Sequence, residues 1–192
     1  MSRSPALQHF LDESMAALRA STTGEAAAAA GRVAERLAQA GTPQGVTATR
    51  LPVCDWIAPA LQAAQDGPRQ ALAQAFGALE GQLNWQRRRT ARPEDAAFWN
   101  GHGNAMILGP GGLEQREDLW IGVTVMAPGT VYQDHDHPPE EVYLSLAPGE
   151  WWNARMDWTD PGAQGAIYNP PGIRHAMRAG ATPFLALWYL PA

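Results

Sequence analysis

The stretch that decides the fold reads Gly129-Thr-Val-Tyr-Gln-Asp-His135-Asp-His137-Pro-Pro-Glu-Glu141-Val-Tyr143. On a strand, His135 and His137 share one face, because side chains two residues apart point the same way. Glu141 and Tyr143 share a face of the next strand, whose opposite face is apolar. A buried imidazole or carboxylate without a partner costs free energy. The convergence of such groups inside a β-protein therefore predicts a metal ion as their shared partner.

A second stretch, 170–175, supplies the fourth candidate ligand. It reads Pro-Pro-Gly-Ile-Arg-His, so a turn precedes His175 early in the following strand. We predict that one divalent metal ion is held by four residues: His135, His137, Glu141 and His175. Three imidazoles and a carboxylate suit Fe(II), Mn(II), Ni(II), Co(II) or Zn(II), and the sequence does not choose among these metals.

The two stretches resemble the two cupin motifs. The first resembles Gly-x5-His-x-His-x3-Glu with a late glycine, here Gly149, and the second resembles Pro-x-Gly-x2-His. Position 179 is Ala where the second motif carries Asn, a departure that leaves the ligand set complete. A more specific resemblance, to the bacterial dimethylsulfoniopropionate (DMSP) lyases of the cupin class, rests on six residues: Tyr132, His135, His137, Glu141, Tyr143 and His175.

This resemblance implies a lyase that cleaves DMSP to dimethyl sulfide and acrylate by β-elimination. Tyr143, beside the metal, is the expected general base, because a nearby cation lowers the pKa of a phenol. Tyr132 is the second expected catalytic phenol, able to assist or replace the base, with a packing tyrosine at a strand end as the alternative. A sulfonium favours aromatic faces. We therefore expect substrate contacts from Trp151, Trp152 and Trp188, each of which could instead belong to the barrel core.

Two other functions stay open at this point. One is a cupin oxygenase or isomerase that acts on another small carboxylic acid. The other is a non-enzymatic sensor or binding cupin, although no helix-turn-helix is evident in the first half. A lyase whose main substrate is not DMSP also fits the same residues.

The two halves of the chain differ in composition and in the period of their apolar residues. Residues 1–83 are rich in Ala, Leu and Gln and predict an α-helical extension. Residues 84–192 predict short strands separated by Gly and Pro turns, which indicates a mainly β fold, a double-stranded β-helix or jelly-roll barrel. The expected strands lie near 84–90, 104–109, 119–127, 141–147, 150–156, 165–169, 173–178 and 183–190. The helices would cover a barrel edge or form a homodimer contact.

Composition argues against a nucleic-acid or membrane partner, and the resemblance implies a small zwitterionic substrate. The 192 residues carry a formal net charge of −5 and no basic stripe, which argues against nucleic acid. The run 87–89, three arginines, is expected to be a solvated strand face, with a contact to a substrate anion as the alternative. No stretch approaches the roughly 20 apolar residues of a membrane span, and no signal peptide is evident, so a cytoplasmic protein without a membrane partner is expected.

The remaining candidate residues have ordinary interpretations. Cys54 is the single cysteine, so no intrachain disulfide is possible, and a buried thiol is favoured over a nucleophile. His9, on the first helix, is expected to be a surface or packing residue. His102 is expected to be a turn histidine, with a site residue as the alternative.

Overall fold

The computed structural model describes residues 3–192. Its α-helices are α1 Pro5–Ser21, α2 Gly24–Leu37, α3 Ile57–Ala63, α4 Gln70–Gly77 and α5 Ala96–Gly101, with 3-10 segments at Pro52–Trp56 and Glu80–Gln82. Its strands are β1 Thr42–Pro43, β2 His102–Leu108, β3 Glu114–Gln115, β4 Leu119–Met126, β5 Val131–His135, β6 Glu141–Ala147, β7 Glu150–Asn153, β8 Met156–Thr159, β9 Ala166–Asn169, β10 His175–Arg178 and β11 Phe184–Pro191. Among the described residues, no helix is both long and apolar enough to cross a membrane.

The strands form two sheets that face each other. One has seven strands in the order β1-β3-β2-β4-β11-β6-β9, and the other has four in the order β5-β10-β7-β8. Neighbours are antiparallel except β2 and β3, which are parallel. This confirms the predicted fold, a mainly β jelly roll with helices at its N-terminal end.

The first helix begins where the sequence predicts. The Ser4 hydroxyl accepts a hydrogen bond from the Leu7 amide at 3.3 Å, and Pro5 occupies the first helical position. Apolar residues at helical spacing then form one buried stripe. This stripe comprises Leu7, Phe10, Leu11, Met15 and Leu18. It joins a core shared with the seven-stranded sheet, so the helices cover a sheet face.

Strand β6 shows how that sheet separates two environments. Val142, Leu144 and Leu146 point to the helices and join the aliphatic core. Glu141 and Tyr143 alternate with them and point between the two sheets. The alternation of side chains along a strand therefore delivers the polar residues to the interior of the jelly roll.

Several predicted boundaries are wrong. Residues 84–90 form no strand: Gln86 makes an isolated bridge to Asn104, and a turn follows in which the Ala91 amide donates to the Arg88 carbonyl. The sequence pattern predicts a second helix from about 24 to 40, but helix α2 ends at Leu37. Helix α5, capped by Asp95, was not predicted. The division into 1–83 and 84–192 stays a prediction.

Candidate active site

Three of the predicted ligands meet between the sheets. His135 ends β5 and His175 begins β10, and the two lie opposite each other in the antiparallel pairing of these strands. His137 does not lie on β5, as the His-x-His spacing predicted, but in the loop that follows it. One ring nitrogen from each of the three histidines lies within 4.8 Å of the others.

Each of these imidazoles is oriented by its own backbone. The Nδ1 atom lies near a carbonyl oxygen two residues away, at 3.1 Å for His135, 2.9 Å for His137 and 2.9 Å for His175. A proton on Nδ1 leaves Nε2 with a free lone pair. The Nε2 atoms of His137 and His175 are buried and have no hydrogen-bond partner among residues 3–192. Two orphaned lone pairs aimed at one point fit a metal ion.

Glu141 reaches the same point from the other sheet. Its Oε2 lies 3.3 Å from Nε2 of His137 and 3.3 Å from Nε2 of His175. The Asn169 side-chain amide donates to Oε2 at 3.2 Å, and Asn153 donates to Asn169 at 3.0 Å. The two asparagines, which the sequence analysis missed, fix the direction of the carboxylate.

The charge states of three of the four residues suit metal binding. Burial lowers the pKa of His135 to about 3 and also lowers the pKa of His175. Burial pulls the pKa of His137 down as well, but the Glu141 carboxylate outweighs it and the net shift is upward. Burial raises the pKa of Glu141, but the close contact with His137 and the charges of the neighbouring imidazoles outweigh this effect, and the net shift is downward. The ionised carboxylate and the neutral rings of His135 and His175 are in the state that binds a metal, whereas His137 has to lose its proton when a metal binds.

Two phenols share a cavity with this cluster. Tyr132 and Tyr143 line a cavity of about 220 Å³ together with His135, His137 and Glu141. Burial raises the pKa of Tyr143 well above its ordinary value, and the Glu141 charge adds to the rise. Burial also raises the pKa of Tyr132.

Tyr132 is held by a chain of polar side chains that the sequence analysis missed. Asn104 donates from its amide to the Tyr132 hydroxyl at 3.0 Å. The Thr124 hydroxyl donates to the Asn104 side-chain oxygen at 2.7 Å and accepts from the Trp188 indole at 3.2 Å. The chain connects strands β2, β4 and β11 and fixes the phenol and the indole relative to each other.

The three predicted tryptophans have different places. Trp188 lines the cavity, and so does Trp120, which the sequence analysis did not single out. Trp151 is fully buried behind the phenol of Tyr143, with ring centroids 5.8 Å apart. Trp152, its neighbour in β7, is not among the residues that line the cavity. Of the three, only Trp188 faces the space in which a substrate could lie.

The loop before Glu141 is tied to the helical part. Glu140 forms a bidentate ion pair with Arg32 of α2, in which two guanidinium nitrogens donate to the two carboxylate oxygens at 2.5 and 2.7 Å. The Tyr168 hydroxyl also donates to Glu140 at 2.9 Å. Glu140 therefore serves as an anchor for the loop, while its neighbour Glu141 faces the cluster.

Three residues that the sequence analysis placed outside the site are His9, Cys54 and His102. His9 is exposed on α1, as expected, and Cys54 is buried in the core, where burial raises the pKa of its thiol. His102 is fully buried at the start of β2. Its Nε2 accepts from the Arg88 amide at 2.9 Å, and its Nδ1 faces the Phe98 carbonyl. His102 is therefore a packing residue beside the site and lies outside the histidine cluster.

Fold and site together define a cupin whose histidine cluster fits metal binding. The family model for dimethylsulfoniopropionate lyase matches residues 25–186. The chain therefore belongs to the DMSP lyase family.

Individual relatives agree with this assignment. The chain is 32% identical over 130 residues to DddL of Cereibacter sphaeroides, provisionally named a DMSP lyase, covering 67% of this chain and 54% of that protein. It is 32% identical over 152 residues to the DMSP lyase DddQ of Ruegeria pomeroyi, covering 76% of this chain and 73% of that protein. The crystal structure of Ruegeria pomeroyi DddQ superposes with a TM-score of 0.71 at 25% identity, covering 99% of this chain and 93% of that one. The chain thus spans about half the length of the first relative and most of the second.

Proposed function

We propose that this chain is a divalent-metal-dependent carbon–sulfur lyase that cleaves DMSP to dimethyl sulfide and acrylate by β-elimination. The observation that carries the proposal is that two phenols line the same cavity as the histidine cluster, in a member of the DMSP lyase family. β-Elimination from a carboxylate needs a base and a means of stabilising the negative charge that develops beside that carboxylate.

We assign the metal to His135, His137, Glu141 and His175. The two buried Nε2 atoms without another partner support this assignment, as does the anionic state of Glu141. A bound divalent ion would supply a Lewis acid for the substrate carboxylate and a positive charge beside the two phenols. The donor set suits Fe, Mn, Zn, Ni or Co, and elemental analysis of protein purified without chelator would identify the metal.

We assign the base to Tyr143. It follows Glu141 by two residues on the inward face of β6, and its phenol lines the cavity. As phenolate, Tyr143 takes the proton from the carbon next to the carboxylate. The carbon–sulfur bond then breaks, sulfur keeps the electron pair and leaves as neutral dimethyl sulfide, and the remaining carbons form acrylate. Tyr143 returns its proton to water, and no redox partner takes part.

The other cavity residues would bind the substrate and support the base. Trp188 and Trp120 offer aromatic faces to the sulfonium, which needs no hydrogen bond and is attracted by a ring quadrupole. Tyr132, fixed by Asn104, is the second phenol and the rival candidate for the base. A cytoplasmic location and a homodimer stay predictions of the sequence.

The test is product stoichiometry. Purified protein loaded in turn with each of the five metals is incubated with DMSP, and dimethyl sulfide, acrylate and dissolved oxygen are measured together. We expect dimethyl sulfide and acrylate in equal amounts and no oxygen consumption. If no metal supports dimethyl sulfide release, the lyase proposal is wrong, and oxygen uptake with another small acid would favour the oxygenase alternative.

A further inference from the structure

The segment 86–88 lies beside the cavity. It is irregular in conformation, but hydrogen bonds to neighbouring elements fix its backbone. Gln86 exchanges two backbone hydrogen bonds of 2.8 Å with strand β2. Arg87 donates from Nε to the Trp99 carbonyl at 2.6 Å, and its guanidinium lies 4.4 Å from the Trp99 ring centre. The Arg88 amide donates to His102. The Arg88 side chain therefore projects from a fixed backbone.

The Arg88 guanidinium has no anionic partner in the described part of the chain. Within residues 3–192 its side chain makes no hydrogen bond or ion pair that meets ordinary distance limits, whereas the Arg87 side chain donates to the Trp99 carbonyl and lies over the Trp99 ring. Arg88 is partly buried, and its guanidinium carbon lies 5.6 Å from the ring centre of Tyr132. A guanidinium that has lost part of its hydration and has no counter-charge is well suited to bind a carboxylate through charge-assisted hydrogen bonds.

Arg88 also lies next to the space a substrate would occupy. It lines a depression of about 270 Å³ that adjoins the cavity, because Asn104 and Trp188 belong to the walls of both. Its guanidinium carbon lies 5.6 Å from the ring centre of Tyr132, whose phenol lines the cavity beside the histidine cluster. The Arg88 charge is thus close enough to act on an anion in the cavity.

We propose that Arg88 binds one oxygen of the substrate carboxylate at the rim of the cavity and thereby orients the zwitterion, which leaves the other oxygen free for the metal assigned above. This rests on the proposed lyase function for the identity of the substrate, whereas the guanidinium itself indicates an oxyanion ligand, a class that includes small carboxylates. Arg88 attracts the carboxylate and repels the sulfonium. The sulfonium is therefore directed away from Arg88, towards the aromatic face of Trp120 on the part of the cavity wall that Arg88 does not share.

The experiment measures binding and turnover separately. Propionate, a carboxylate without a leaving group, and propionamide, its neutral counterpart, are titrated by calorimetry into metal-loaded wild type, Arg88→Gln, Arg88→Lys and Arg89→Gln. Arg89 is the matched control, since it is the exposed neighbour and its side chain makes no hydrogen bond or ion pair in the described structure. Metal content and melting temperature are recorded for every variant.

We expect Arg88→Gln to weaken propionate binding by roughly 10–100-fold, the usual value of one charge-assisted hydrogen bond, and to leave propionamide binding unchanged. Arg88→Lys should recover part of the loss, and Arg89→Gln should match wild type. With DMSP, Arg88→Gln should raise KM by a similar factor while kcat changes little. Equal propionate affinity in wild type and Arg88→Gln would overturn the proposal even if DMSP is cleaved. A loss of propionate binding would support it even if DMSP is not the substrate.

Discussion

The two faces of the seven-stranded sheet are made from the same strands but have opposite chemistry. The face towards the helices is aliphatic and includes Leu144, Leu185 and Leu187, all fully buried. The face towards the smaller sheet is aromatic and polar and includes Tyr143 and Trp188. Residues that are neighbours in sequence therefore belong to different environments.

The difference shows how one small barrel can combine a stable aliphatic core with a polar candidate site. Aliphatic burial stabilises the fold in proportion to the apolar area removed from water. The inner face instead buries imidazoles, phenols and a carboxylate, which cost stability unless they are paired. The helical extension thus supplies a second, dry core on the outer face, so that the inner face is free to hold polar groups.

The largest expected effect comes from removing a ligand on the inner face. His137→Ala and His175→Ala should each reduce metal content from roughly one ion per chain to near zero, since each removes one of four donors. Turnover should fall with it. Elemental analysis measures the first and dimethyl sulfide release the second.

His9→Ala is the matched control, because His9 is an exposed histidine on α1. It should retain the metal and the activity. Full metal retention in both His137→Ala and His175→Ala would mean that the cluster is not the metal site.

The next effect concerns a single oxygen atom on the inner face. Tyr143→Phe should lower kcat by about 10²–10⁴, the usual contribution of a general base, with metal content and melting temperature near wild type. Tyr189→Phe makes the same chemical change on the helix-facing side of the sheet and should leave kcat unchanged.

Tyr132→Phe decides between the two phenols. If Tyr132→Phe abolishes turnover while Tyr143→Phe retains it, the base is Tyr132 and the assignment to Tyr143 is wrong. If both variants stay active, neither phenol is the base.

A change on the outer face should affect stability and leave chemistry intact. Leu144→Ala, next to Tyr143 but buried in the aliphatic core, should lower the free energy of unfolding by about 2–5 kcal/mol. Denaturant unfolding measures this loss. The rate per folded molecule should stay within about twofold of wild type, since only the outer face loses contacts. A fall in that rate as large as that of Tyr143→Phe would mean that the two faces are not separate.

The smallest expected effect is at the ion pair between Arg32 of α2 and Glu140, which ties the loop before Glu141 to the helices. The Arg32 side chain is 43% exposed, so Arg32→Gln should cost only about 0.2–1 kcal/mol of unfolding free energy. Burial raises the pKa of Glu140, but the hydrogen bonds from Arg32 and Tyr168 lower it by more, so the net shift is downward. A lowered pKa means that the carboxylate stabilises the fold at neutral pH and loses that contribution as pH falls through its folded value.

The difference between wild type and Arg32→Gln should therefore disappear in acid. Arg19→Gln, an exposed arginine on α1 with no ion pair in the described chain, is the control and should match wild type at every pH. A difference between wild type and Arg32→Gln that persists unchanged below the pKa of Glu140 would contradict the ion-pair explanation.

Local patterns predicted the fold and the centre of the site. The His135, His137 and Glu141 spacing, together with the turn before His175, selected the residues that the structure brings together. Gly and Pro pairs indicated where strands end, because these residues interrupt regular strands. Such signals are contained within a few neighbouring residues and can be read from the sequence.

The other residues of the site could not be predicted, because their positions depend on strand register, which local sequence patterns do not determine. Asn169 supports Glu141 because β9 pairs with β6 so that these two residues lie opposite each other. Trp120 reaches the cavity because β4 lies beside β11, and Gly122 leaves room for the Trp188 ring, which a Cβ there would approach to 2.2 Å. The segment 84–90 was predicted as a strand, but Asn84 and Gln86 form isolated bridges to different partners and a turn follows at Arg88.

Metal removal tests the central claim most directly, namely that the inner face holds an ion on which cleavage depends. The protein is dialysed against a chelator until elemental analysis finds no metal, then assayed for dimethyl sulfide release, and assayed again after each candidate ion is returned. The account predicts that release stops on removal and recovers with at least one ion, with binding of roughly one ion per chain. Undiminished release from protein shown to be free of metal would contradict it.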